Sequence, residues 1–66
     1  MGKIRIKELR EEKGLTQAQL AKAIGLTRIV ISYYENGYSE PSVGTIEKLC
    51  NYFEVSADYL LGFKDF

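Results

Sequence analysis

The sequence has no histidine, no tryptophan, one cysteine and one proline in 66 residues, and each shortage removes a class of chemistry. Without histidine there is no Ser-His or Cys-His nucleophile pair, and Cys50 alone cannot assemble a zinc finger or another Cys/His metal centre. A single thiol also leaves no intrachain disulfide. Cys50 falls instead in the apolar pattern Ile46, Leu49, Cys50, Phe53, which predicts a small core residue. No apolar run approaches the roughly 18 residues that cross a bilayer, and the N-terminus lacks the apolar stretch of a signal peptide, so a soluble, cytoplasmic chain is expected. No cofactor site, metal site or membrane partner is expected.

Net charge is missing too, since nine basic residues face nine acidic ones. The balance is local, however. Residues 1–34 carry Lys3, Arg5, Lys7, Arg10, Lys13, Lys22 and Arg28 against Glu8, Glu11 and Glu12, and residues 35–66 carry Lys48 and Lys64 against Glu35, Glu40, Glu47, Glu54, Asp58 and Asp65. The halves are thus +4 and −4, which predicts a molecule with a basic end and an acidic end. Glu11 and Glu12 lie beside Arg10 and Lys13 and read as solvated ion partners, so an enzyme is not expected.

A chain this short has room for one domain, and such a domain buries only about 60% of the surface its unfolded form exposes. Dense punctuation divides it into five helical segments. Ile6 and Leu9 recur at helical spacing before Gly14. The stretch 3–7 alternates like a strand but continues at helical period, so it is read as the start of helix 1. Thr16-Gln17-Ala18-Gln19 has the form of a capping box that starts helix 2 at Gln17, with Leu20, Ala21 and Ile24 inward and Gly25 at its end. Thr27 caps helix 3, which ends at Gly37. Pro41-Ser42 opens helix 4, with Val43, Ile46, Leu49, Cys50 and Phe53 inward. Ser56 caps helix 5, Asp58 suits its positive end, and Leu60-Leu61 precede Gly62. The expected fold class is all-α, a compact five-helix domain over 1–66.

Helix 3 has two faces at about 100° per residue. Ile31 and Tyr34, flanked by Val30, form an apolar face that must pack inward. Arg28, Ile29, Ser32 and Tyr33 are left pointing out. The short turn Gly25-Leu26-Thr27 joins helices 2 and 3 as a helix-turn-helix unit does, over about residues 17–36. In that geometry the second helix enters the DNA major groove.

Ile6-x-x-Leu9-Arg10, Gly14-Leu15-Thr16-Gln17, Leu20-Ala21, Gly25, Ile31-Ser32, Tyr34-Glu35-Asn36-Gly37, Pro41-Ser42 and Val55-Ser56-x-Asp58-Tyr59-Leu60-Leu61-Gly62 stand at spacings that resemble the phage repressor and Cro (XRE-type) helix-turn-helix family. The resemblance covers about residues 4–62 and implies a lambda-repressor-like fold. It also implies a sequence-specific DNA-binding transcriptional regulator, a dimeric repressor on a near-palindromic operator in double-stranded DNA. By position, it implies that Arg28, Ile29 and Tyr33 read base edges, with Thr27 and Ser32 at the margin. Gln17 and Asn36 match phosphate contacts. Arg10 and Glu35 match a structural ion pair, which can also turn Arg10 toward phosphate. Tyr59, Phe63 and Phe66 match the two-fold contact of a homodimer; the alternative for Phe63 and Phe66 is to fold back on their own core. The sequence departs from the family pattern in lacking Gln or Asn at 28, 29 and 33, in Glu40, in Gly44 and in its neutral total charge. A protein-interaction module of the same fold, or the DNA-binding part of a larger regulator, are the alternatives.

Overall fold

Hydroxyl side chains decide where four of the five helices begin. In the computed structural model, which describes residues 4–65, the helices are α1 (Ile6–Glu12), α2 (Gln17–Ile24), α3 (Arg28–Asn36), α4 (Val43–Phe53) and α5 (Ala57–Leu60). Thr16, Thr27, Ser42 and Ser56 each accept a hydrogen bond from the amide three residues on, at 3.1, 3.3, 3.2 and 3.1 Å. Each such cap contributes about 1 kcal/mol. The capping box is complete, because the Thr16 amide donates to Gln19 Oε1 at 2.8 Å. No side chain caps α1. The Arg5 amide donates instead to the Leu60 carbonyl at 2.8 Å, which ties the start of α1 to the end of α5.

All five helices end in the same way. One residue enters the left-handed region, and the residue after it donates back five positions: Leu15 to Arg10, Leu26 to Ala21, Tyr38 to Tyr33, Val55 to Cys50 and Phe63 to Asp58. This is the Schellman turn, which satisfies carbonyls that a helix end would otherwise leave open. Glycine holds the left-handed position in four cases, and Glu54, with φ 58°, holds it in α4. Leu15, Leu26 and Val55, the residues just past three of these turns, pack against the core. Tyr38 and Phe63, past the other two, are 76% and 58% exposed.

Every helix contributes to one core: Ile6 and Leu9, Leu20, Ala21 and Ile24, Ile31 and Tyr34, Leu49 and Phe53, and Leu60. α2 packs most extensively on α3, while α4 rests chiefly on α5 and α2. The expected all-α, five-helix architecture is observed, and there is no strand among the described residues. Val43 is a correction: expected inward, it is 78% exposed, because it is the first residue of α4, where the adjacent Ser42 and Gly44 are exposed as well. Cys50 is half-buried against the core rather than inside it, and that burial pushes its thiol pKa up. Among the described residues no helix is long and apolar enough to cross a membrane.

Candidate nucleic-acid interface

Two of the basic residues of the first half, Arg5 and Arg10, are spent on partners from the second half. Arg5 donates through Nε to the Tyr59 carbonyl at 2.9 Å, meets the Lys64 carbonyl and Asp65 Oδ1 at 3.3 Å each, and lies 4.5 Å from the Tyr59 ring centroid. Arg10 donates to both carboxylate oxygens of Glu35, at 2.8 Å from Nε and 3.2 Å from Nη2. Lys13 sits over the Tyr52 ring at 5.3 Å. The side chains of Lys7, Lys22 and Arg28 make no hydrogen bond or ion pair among the described residues.

The Arg10–Glu35 pair is the centre of a junction. Its side chains are 11% and 4% exposed, so both charges have left bulk water and depend on each other. The bidentate bond to Glu35 raises the Arg10 pKa against the opposing effect of burial, which keeps the guanidinium charged at any ordinary pH. Arg10 Nη1 donates to the Leu15 carbonyl at 2.8 Å, and Gln17 Nε2 donates to Glu35 Oε1 at 3.1 Å. One carboxylate on α3 thus fixes α1, the turn after it and the first residue of α2.

Beside this junction a crevice of about 400 Å³ is lined by Lys7, Arg10, Gln17, Glu35 and Asn36 among others. The three residues expected at phosphate, Gln17, Asn36 and Arg10, come from three separate stretches of sequence and meet here. Their freedom differs. Gln17 uses one amide N–H on Glu35 and keeps the other. Asn36 turns its Nδ2 back on α3, to the Ser32 carbonyl at 2.8 Å and to Ser32 Oγ at 3.3 Å, and must release one of these to donate elsewhere. Arg10 has three of its five N–H groups engaged.

The outward face of α3 is the opposite case. Ile29 and Tyr33 are 54% and 48% exposed, whereas Ile31 and Tyr34 on the inner face are 0% and 9% exposed. Arg28 and Thr27 are exposed and Ser32 is half-buried. Tyr38, which the sequence reading did not single out, packs its ring against Tyr33 in a T-shaped contact, with centroids 5.9 Å apart and planes at 82°. A signal for it existed in the sequence, since a residue that follows the C-terminal glycine of a helix often touches the last turn. Of the expected dimer contacts, Tyr59 is half-buried under Arg5, Phe63 is exposed, and Phe66 lies outside the described residues.

Comparison with known proteins places this geometry in a family. The sequence model of the helix-turn-helix family matches residues 6–60. The HTH-type transcriptional regulator ImmR of Bacillus subtilis (strain 168) is 42% identical over 58 residues, 88% of this chain and 46% of that protein. The SPbeta prophage-derived regulator YonR of the same organism is 42% identical over 57 residues, 86% of this chain and 53% of that protein. The chain spans about half the length of these curated relatives. Among solved structures, the P22 c2 repressor in complex with a synthetic operator superposes with a TM-score of 0.84 at 32% identity, covering 91% of each chain. The chain belongs to the helix-turn-helix family of the repressor and Cro type.

Proposed function

We propose that the chain is a single helix-turn-helix domain that binds double-stranded DNA sequence-specifically and regulates transcription in the cytoplasm, with the helix-turn-helix unit at about residues 17–36. The observation that carries this reading is the outward face of α3. Arg28, Ile29 and Tyr33 are exposed there on a helix whose other face is buried, and the Arg28 side chain has no partner among the described residues. The operator complex of the P22 c2 repressor supports DNA as what this face meets.

In this reading Arg28 donates two hydrogen bonds to guanine O6 and N7, and Ile29 lays its methyls on thymine C5-methyl groups. Tyr33 packs on a neighbouring methyl or sugar, with Thr27 and Ser32 at the edges. Gln17, Asn36 and Arg10 hold phosphate along the crevice and fix the register of α3 in the groove. A homodimer through the exposed Phe63, with Tyr59 and Phe66, sets two copies of α3 about 34 Å apart, one turn of DNA. A dimer lying over a promoter represses by excluding polymerase.

Selection of bound duplexes from a random pool at two salt concentrations tests the proposal. The expected outcome is a near-palindrome with half-sites one turn apart and binding that weakens steeply with salt, because phosphate contacts release counterions. No enriched sequence at either salt concentration overturns it. Equilibrium sedimentation that finds a monomer at high micromolar concentration, with and without the selected DNA, removes the dimer.

A further inference from the structure

Five Schellman turns in one small domain allow an internal comparison. At α1, α2 and α4 the residue past the turn is Leu15, Leu26 or Val55, and each packs on the core. At α3 the same backbone geometry, Tyr38 N–H to the Tyr33 carbonyl at 2.9 Å, swings a large ring to the outside and leaves it 76% exposed. That ring does not enter the core cluster. It makes a T-shaped contact with Tyr33, a residue of the outward face of α3.

An aromatic side chain on a free helix surface exchanges among staggered rotamers within nanoseconds. A side chain that reads DNA must hold one of them, and ordering it on contact costs affinity. The perpendicular ring of Tyr38 restricts this freedom in advance, with the two rings in the attractive edge-to-face arrangement of their quadrupoles. Gly37, at φ 77°, makes the contact possible by turning the chain back toward α3.

We propose that Tyr38 is a positioning residue for DNA reading: it orders Tyr33 so that its ring meets one base step, and acts on specificity through Tyr33 rather than through a base of its own. The proposal rests on the DNA-binding reading of α3. Its test is a cycle of Tyr33→Ala, Tyr38→Ala and the double variant on a selected duplex, with base preference measured position by position and thermal unfolding as a control of fold. Tyr38→Ala weakens binding about three- to tenfold and flattens the same base position that Tyr33→Ala flattens, while the preference assigned to Arg28 persists. In the Tyr33→Ala background, Tyr38→Ala changes affinity by less than about twofold, as expected of residues that act as one unit.

Two further variants separate positioning from support of the turn. Tyr38→Phe keeps the ring and retains the wild-type preference. Tyr38→Leu keeps an apolar residue after the turn but no ring, and behaves as Tyr38→Ala in base preference with thermal stability unchanged. Failure of the wild-type protein to bind any duplex overturns the DNA reading and this proposal together. Binding by the wild type that Tyr38→Ala leaves unaltered, or effects of the two substitutions that multiply, overturns the role of Tyr38 alone. A protein partner lost on Tyr38→Ala, with DNA binding intact, does the same.

Discussion

The junction of α1, α2 and α3 and the outward face of α3 share one helix, yet they use the same residue type in opposite ways. Arg10 has both carboxylate oxygens of Glu35 and a backbone carbonyl as partners, with 11% of its side chain exposed. Arg28, at the first residue of α3, is exposed and has no partner among the described residues. A charge whose hydrogen bonds are consumed internally holds elements in register, and its removal acts on folding. A charge that folding leaves without a partner contributes little to stability and stays available to a ligand.

Substitution at Arg10 gives the largest expected effect and tests the first half of that contrast. Arg10→Met leaves the Glu35 carboxylate, 4% exposed, with only the Gln17 amide beside it. An unpaired buried charge of this kind costs about 3–5 kcal/mol, which urea unfolding reads directly. A loss below about 1 kcal/mol, the range of surface pairs, would erase the distinction between the two regions. Arg28→Ala tests the other half. Its unfolding free energy should change by no more than about 0.5 kcal/mol, while discrimination at one base pair falls by about 1–3 kcal/mol in a binding-site selection. An Arg28→Ala protein that retains every base preference removes Arg28 from the reading surface.

The sequence made some of this legible and not the rest, for a physical reason. Caps and turns are local: Thr16, Thr27, Ser42 and Ser56 act within three residues, so the starts of α2 to α5 could be read directly. The two faces of α3 followed from helical period alone. Pairings between distant residues have no local signal. Arg5 looked like one more cation of a basic end, yet its guanidinium lies on the carbonyls of residues 59 and 64. Val43 matched the apolar stripe of α4, but periodicity does not tell which turn of a helix has another element over it. The Arg10–Glu35 pair came from family resemblance, and its third member, Gln17, emerged only with the fold.

Gln17 belongs to both regions, so it gives the smallest and most informative change. Removing its amide in Gln17→Ala takes one hydrogen bond from Glu35, which keeps both bonds from Arg10. The loss of stability should therefore be about 1 kcal/mol, well below that of Arg10→Met. If the second N–H donates to a phosphate, the same substitution also weakens all duplexes alike, with base preference and salt slope unchanged, because an uncharged amide displaces no counterion. A stability change without a change in affinity assigns Gln17 to the junction alone. A uniform loss of affinity at wild-type stability means that Glu35 does not need the Gln17 amide, and the junction then ends at Arg10. Only both changes together make Gln17 the point at which the packing of three helices sets the position of a phosphate contact.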